Sequence, residues 1–239
     1  MERKNIRGQD SELGDLLCEA AGWNDGFVTR KERKYGCDIA FSDIDGKAAA
    51  ALGRREGRYC TVRGDDVARA LAYAMKQLAS ARKVLFAGLG NSGLVADALG
   101  GETVRALRKL CDENTPIATL EPLVKAVTNL DSAAMVKAVA REYRPDLVIV
   151  ADALVTREWE KIGASYQLTT AGICPGSGAG GNGDMIDGAY LGTAVLAVGV
   201  PMIAVLRDGG ERRVIPYDAE ATVRRCSALI ASAVFAAYS

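Results

Sequence analysis

Residues 87–100 read AGLGNSGLVADALG and follow directly on the apolar segment VLF at 84–86. A lone carboxylate, Asp97, stands in the otherwise apolar second half of this stretch. Glycines at the end of a buried strand have two common uses. Their backbone N–H groups can hold a phosphate, or they can form a tight turn that presents a side chain. The fold and the function of the chain depend on which use applies here.

The composition is typical of a globular domain, and it limits the partners. The chain has 239 residues, of which 49% are hydrophobic and 25% charged, so it is long enough for one domain with a substantial core. Lys plus Arg number 30 and Asp plus Glu number 30, which gives a formal net charge of zero. No field of the whole chain therefore favours nucleic acid or an anionic membrane, and we expect neither as a direct partner.

Histidine is absent, and this absence excludes more than any other feature of the composition. Ser-His-Asp and Cys-His nucleophiles need an imidazole base, and zinc hydrolases use histidine ligands almost without exception. The six cysteines show no C-x-x-C spacing, and the first residues do not have the pattern expected of a signal peptide. We therefore expect free thiols in a reducing cytoplasm, and no metal or other cofactor.

The pattern along the chain predicts an α/β domain over residues 36–239 after a polar N-terminal arm, or possible propeptide, over 1–35. Fully apolar strand runs that alternate with helical periodicity are typical of parallel sheets covered by helices, so we predict a three-layer α/β/α domain with a mostly parallel sheet. The apolar run at 191–206 is too short to span a membrane and contains Gly199 and Pro201, which predicts two strand pieces. The other predicted elements are extended segments at 36–62, helices at 66–81, 95–111, 131–143, 156–162 and 218–238, and strands at 84–88, 147–151 and 166–169. Asp65 or Asp66 is expected to cap the helix at 66–81, and Asp131 with Ser132 the helix at 131–143.

Gly88, Gly90 and Gly93 form a G-x-G-x-x-G pattern between a predicted strand and a predicted helix, which is the context of a dinucleotide-binding turn. Two observations oppose this reading. The acidic residue expected about 20 residues later, at the end of a second strand, is missing. Asp97 would also repel a phosphate bound beside it. Nucleotide binding stays open as an alternative function.

Asp97 has a counterpart in Asp152, because the sequence VADAL occurs at 95–99 and again at 150–154. Both aspartates lie next to apolar strands, and ligands of parallel sheets bind at the carboxyl ends of the strands. If the two strands are neighbours, the two carboxylates meet in one crevice. The alternative is that each aspartate only caps a helix.

Two close carboxylates can hydrolyse a peptide bond without histidine. Like charges within a few ångström cannot both ionise easily, so the pair shares one proton. The protonated member can donate to a carbonyl oxygen while the ionised member takes a proton from water. Two aspartates alone would make only a weak metal site.

Other residues are predicted to shape the cleft around this pair. A second glycine-rich loop, PGSGAGGNG at 175–183, has the freedom of a lid or of a backbone donor to a substrate carbonyl, although a plain surface loop would look the same. Arg157, placed one helical turn after Asp152, can orient a carboxylate or form a surface ion pair. The residues predicted to bind substrate or shape the cleft are Gly88, Gly90, Asn91, Arg157, Pro175, Gly176, Ser177 and Gly178.

Six short motifs, taken together and in order, resemble the germination protease (spore protease) family of spore-forming bacteria. They lie between residues 44 and 206. The motifs are EGRY at 56–59, GLGN at 88–91, DALG at 97–100, RPDLVIVADAL at 144–154, GICPGSGAG at 172–180 and LAVGVP at 196–201.

The resemblance implies an atypical aspartic-type endopeptidase that degrades small acid-soluble spore proteins during germination, in the cytoplasm of the spore. It implies catalytic roles for Asp97 and Asp152, synthesis as an inactive precursor (zymogen), and assembly of a homo-oligomer, a tetramer or a dimer. It also implies a phosphorylase/hydrolase-like fold related to the hydrogenase-maturation peptidases.

The chain departs from the family pattern at several positions. Ser92 and Gly101 stand where the family usually has a tryptophan and a proline, and Thr170 and Cys174 stand where it tends to have an aspartate and a histidine. A diverged, non-catalytic member of the family is therefore a further alternative.

Overall fold

The computed structural model describes residues 30–52, 54–176, 185–207 and 211–239. The strands are β1 Arg30–Lys34, β2 Cys37–Ile44, β3 Gly57–Gly64, β4 Val84–Gly88, β5 Ile117–Leu120, β6 Leu147–Thr156, β7 Tyr166–Thr169, β8 Ala194–Arg207 and β9 Glu211–Val214. The helices are α1 Gly46–Leu52, α2 Val67–Leu78, α3 Leu99–Arg108, α4 Lys125–Thr128, α5 Ser132–Tyr143, α6 Gly188–Leu191 and α7 Ala219–Tyr238. Short 3₁₀ turns lie at Val95–Asp97 and Trp159–Lys161.

These strands form one nine-stranded sheet in the order β1-β2-β3-β7-β8-β6-β4-β5, with β9 paired to β8. The α/β class is confirmed, but the sheet is mixed rather than mostly parallel. The strands β8, β6, β4 and β5 pair in parallel, while β1, β2, β3 and β7 pair antiparallel. Short connections explain the antiparallel half, since β1 and β2 are joined by only Tyr35 and Gly36, both at positive φ (55° and 69°).

Apolar side chains fill both faces of the sheet, which confirms the three-layer arrangement. On β4, Phe86 points into a core shared with α2, α3 and α7. Its neighbours Leu85 and Ala87 point to the opposite face, into a second core shared with α5. This alternation is the period of a strand that is buried on both sides.

Two aspartates begin helices as the sequence predicted. Asp66 accepts the backbone N–H of Arg69 at the start of α2, at 3.4 Å. Asp131 accepts the N–H of Ala134 at the start of α5, at 2.9 Å. Each carboxylate pairs an N–H group that has no partner within its helix.

Four predicted boundaries differ in the structure. The sheet begins at β1, inside the predicted arm, while residues 1–29 lie outside the described part. Pro201 does not divide β8, because β6 shifts its register between Leu154 and Val155 beside it. β6 runs on to Thr156, so the predicted helix at 156–162 is only the 3₁₀ turn Trp159–Lys161. The predicted helix at 95–111 is divided into the turn Val95–Asp97 and α3.

Across the described ranges, no helix is long and apolar enough to cross a membrane.

The exit of β4 packs backbone to backbone against the first turn of α3. A Cβ atom on Gly88 would clash with the carbonyl oxygen of Gly100, and a Cβ on Gly100 would clash with the backbone of Leu89. Only glycine fits at both positions, so these glycines set how closely the helix approaches the strand.

We expect Gly100→Ala to lower the free energy of unfolding by about 2–3 kcal/mol, because the added methyl group must displace the backbone of β4. Urea denaturation measures the change. Gly188→Ala is the matched control, since its added Cβ would lie 3.4 Å from the carbonyl oxygen of Thr193, an ordinary contact. A Gly100→Ala protein as stable as the wild type would contradict this packing.

Candidate active site

The Asp97 carboxylate is held by the turn that precedes it. Its Oδ2 atom accepts the backbone N–H of Asn91 at 2.7 Å. The N–H of Asp97 donates to the carbonyl of Leu94 at 2.8 Å, which closes the 3₁₀ turn. The side chain is only partly buried. Asp97 therefore has a fixed carboxylate that water can reach.

Gly90 lets this carboxylate come close to the end of β4. Gly90 has φ of 98°, a left-handed conformation that favours glycine. A Cβ on Gly90 would clash with the carbonyl oxygen of Asp97 and would lie 3.0 Å from its Oδ1. The glycine is thus required by the approach of Asp97, as well as by the turn.

Asp152 lies within β6 and not at its end, which corrects the prediction from the sequence. Its backbone pairs with Gly199 of β8. The side chain is 8% exposed, and its Oδ1 accepts the N–H of Ala153 at 2.9 Å. Leu154 extends over Gly199, where a Cβ would lie 2.5 Å from the leucine Cδ1. Asp152 is therefore a nearly buried carboxyl beside an apolar side chain.

The pairing of β4 with β6 brings the two aspartates together. Gly88 pairs with Ala151, and the N–H of Leu89 donates to the carbonyl of Ala151 at 2.8 Å. The chain that leaves β4 thus continues alongside β6 as far as Asp152. Gly90 follows Leu89, and Asp97 packs on Gly90. The two strands are thus neighbours, as the repeated VADAL sequences required, and the charge of Asp97 acts on Asp152.

The pKa values of both carboxyls are raised. Burial, and then the charge of Asp97, raise the pKa of Asp152 to about 8, against the opposing N–H of Ala153. Burial also raises the pKa of Asp97, while the N–H of Asn91 lowers it. The two groups thus interact electrostatically, and the more buried one holds its proton more strongly.

Arg157 does not lie one helical turn from Asp152, so that part of the prediction is wrong. Residues 147–156 form a strand, and Arg157 follows it directly. At about 3.3 Å per residue, its Cα lies about 16 Å along the chain from that of Asp152. A role for Arg157 in substrate binding stays a prediction.

The second glycine-rich loop begins on the same face of the sheet as the Asp152 side chain. A β-bridge joins Ile173 and Ile186, one on each side of the loop. Both side chains pack in the core that also contains Val150 of β6. Asp152 lies two residues after Val150, so its side chain is on the same face of the strand. Pro175 and Gly176 form a turn directly after the bridge, with Gly176 at φ of 73°. Ser177 and Gly178 lie outside the described residues, so the role of this loop in the cleft stays a prediction.

An ion pair between distant parts of the chain holds Asp187, just after this loop. Arg55 donates to Oδ2 of Asp187 at 2.6 Å, and Oδ1 of Asp187 accepts the N–H of Tyr190 at the start of α6. Arg55 directly precedes the EGRY motif. The partners are 132 residues apart, so no local pattern could have indicated this contact.

A second contact missed from the sequence lies beside Asp97. Ser92 donates its hydroxyl to Oε1 of Glu121 at 2.9 Å, and Arg105 donates to the same oxygen at 3.2 Å. Glu121 follows β5 immediately. Its position beside the loop depends on the pairing of β4 with β5, which the sequence alone did not establish.

Comparison with known proteins identifies relatives of the chain. A family model described as germination protease matches residues 19–207. A germination protease of Caldanaerobacter subterraneus subsp. tengcongensis is 32% identical over 204 residues, which cover 74% of this chain and 63% of the relative. A germination protease of Bacillus subtilis is 30% identical over 207 residues, which cover 74% of this chain and 56% of the relative. The chain thus spans less than two thirds of the length of these relatives.

Among solved structures, the NiFe hydrogenase maturation protease HycI from Thermococcus kodakarensis KOD1 matches with a TM-score of 0.45 and 16% identity. The match covers 69% of this chain and 98% of that protein.

We expect Asp152→Asn to be more stable than the wild type at pH 9 and equally stable at pH 4. The pKa of Asp152 in the folded state, about 8, lies above its pKa in the unfolded state. Between these two pKa values the folded state binds more protons than the unfolded state, so the wild type loses stability as the pH rises. The difference should reach a few kcal/mol, since one pKa unit corresponds to about 1.4 kcal/mol.

Thermal midpoints measured from pH 4 to pH 9 test this expectation. Asp112→Asn is the control, because hydrogen bonds from Thr115 and Asn114 lower the pKa of the Asp112 carboxyl. Removal of that carboxyl should therefore not raise the thermal midpoint at pH 9. Parallel stability curves for the wild type and Asp152→Asn would show that Asp152 has an ordinary pKa.

Proposed function

The chain belongs to the germination protease family, and on that premise we propose that it is an aspartic-type endopeptidase acting through Asp97 and Asp152. One observation carries the proposal: the pairing of β4 with β6 brings Asp97 close to the buried carboxyl of Asp152, whose pKa is raised first by burial and then by the charge of Asp97. Such a pair holds one proton between two oxygens near neutral pH. This is the protonation state required to activate water and a carbonyl together.

The environments of the two groups support different roles for them. Asp97 is the more exposed, and the N–H of Asn91 favours its ionised form, so it is the base that takes a proton from water. Asp152 keeps its proton and donates it to the oxygen of the peptide carbonyl. Water adds to the carbonyl carbon and gives a tetrahedral diol. The carbon–nitrogen bond then breaks as the amine nitrogen takes up the proton that Asp97 accepted, and one diol hydroxyl returns its proton to Asp152, which leaves the carboxylic acid product and the pair in its starting state.

The proposed substrates are small acid-soluble spore proteins, in accordance with the family resemblance. Off DNA such proteins are extended chains, and an extended chain can present its backbone to the two aspartates where β4 ends beside β6. Cleavage in the spore cytoplasm, synthesis as a zymogen, and assembly into a homo-oligomer belong to the same proposal.

Nucleotide binding is less well supported by the loop geometry. The N–H of Asn91, inside the glycine pattern, already donates to the Asp97 carboxylate. A phosphate bound at this turn would also lie beside the negative charge of Asp97. A rise in the melting temperature with millimolar NAD or ATP would favour this alternative.

We expect Asp97→Asn and Asp152→Asn each to reduce cleavage of a small acid-soluble spore protein by at least about 10²-fold, because each removes one partner in proton transfer. Fragment analysis by mass spectrometry measures the loss. Asp38→Asn is the matched control, since Asp38 is an exposed residue paired with Arg33. If both active-site variants cleave as fast as the wild type, the pair is not catalytic.

The rate of cleavage should fall as the pH rises through about 8, since Asp152 then loses the proton that it donates. It should also fall at acid pH, where Asp97 becomes protonated. Inhibitors of serine and cysteine peptidases and metal chelators should leave the rate unchanged. A rate that keeps rising above pH 9 would contradict the role of Asp152 as an acid.

A further inference from the structure

Glu121 connects the loop after β4 to the helix α3 by side-chain hydrogen bonds. It extends from the end of β5, and its side chain is 18% exposed. Its Oε1 atom accepts the Ser92 hydroxyl from the loop after β4, and it accepts Arg105 from α3. One oxygen therefore joins the loop to the helix that follows it.

The site of this oxygen is shaped by two small residues. A Cβ on Gly101 would lie 2.5 Å from Oε1 of Glu121 and 3.3 Å from Cβ of Ser92. The carboxylate thus rests on the first turn of α3 at a position where any larger side chain would displace it. Ser92 and Gly101 are two of the positions at which the chain departs from the family pattern, and the structure brings both to Glu121.

The loop residue held in this way is next to the group that binds Asp97. Asn91 precedes Ser92, and its backbone N–H is the donor to Oδ2 of Asp97. The side chain of Asn91 accepts the N–H of Gly93 at 2.9 Å, so Ser92 lies within a turn closed on both sides. A displacement of Ser92 would therefore move the N–H that orients the carboxylate.

We propose that Glu121 is a positioning residue that holds the loop through Ser92 and thereby keeps Asp97 oriented toward Asp152. The effect on catalysis rests on the proposed function, whereas the effect on the Asp97 carboxylate does not. Asp152 on β6 is electrostatically coupled to Asp97, and three charged groups, Glu121 with Arg105 and Glu102 of α3, lie at Ser92. Arg105 pairs with both of these glutamates, so the cluster carries one excess negative charge.

The test is a carbon-13 NMR titration of the Asp97 carboxyl. In Ser92→Ala and Glu121→Ala the Asn91 N–H loses its fixed direction, and the pKa of Asp97 should rise by about one unit, the size of effect that one hydrogen bond to a carboxylate has. Glu121→Gln keeps an oxygen acceptor and should restore most of the wild-type titration. In the cleavage assay, kcat should fall about 10-fold in the two alanine variants with KM unchanged.

Thr119→Ala is the matched control. Thr119 of β5 accepts a hydrogen bond from Arg108 of α3 at 2.8 Å, so it also joins these two elements, but it does not reach the loop. Its loss should leave both the Asp97 titration and the cleavage rate unchanged.

The outcomes separate this proposal from the proposed function. An unchanged Asp97 titration in Ser92→Ala and Glu121→Ala overturns the positioning role, even if the wild type cleaves spore protein. A shifted titration supports the positioning role even in a protein without peptidase activity. If Glu121→Ala does not fold, Ser92→Ala alone decides, since it removes only one hydroxyl at a partly exposed position.

Discussion

The arrangement of the candidate site depends on one close contact, the one between the backbone at the end of β4 and the backbone at the start of α3. Gly88 and Gly100 have no side chains to separate these segments. The chain between them must therefore make a tight turn and return to its starting point, and Asp97 lies on the returning part. A wider separation would move Asp97 away from β6, where Asp152 lies.

The strand β8 connects the part of the sheet that contains this contact to the rest of the sheet. It is parallel to β6 on one side and antiparallel to β7 on the other, so it joins the two halves of the mixed sheet. The parallel half carries the aspartate pair. The antiparallel half shares the large core with α2 and α7 through side chains such as Ile39 and Phe41. The site therefore lies in the parallel half of a sheet that extends well beyond it.

Much of this could be predicted from local sequence. The apolar runs of β4 and β6, the caps of α2 and α5, and the choice of Asp97 and Asp152 as candidates all follow from patterns a few residues long. The closeness of the two aspartates depends on the pairing of β4 with β6. The strand β1 could not be predicted, because its residues RKERK lack the alternation of a half-buried strand. Arg157 was misplaced because β6 continues past Asp152. The Glu121 and Arg55 contacts depend on strand order, which a single sequence does not encode locally.

The charge of strand β1 affects how copies of the molecule can associate. It occupies one edge of the described sheet, and four of its five residues are basic, with Glu32 as the exception. Two such edges placed side by side would set lysines and arginines of one molecule against those of the other. Repulsion of this kind blocks continuation of a sheet from molecule to molecule. Self-association at this edge is therefore disfavoured, and growth into fibres by strand addition is opposed at the same place.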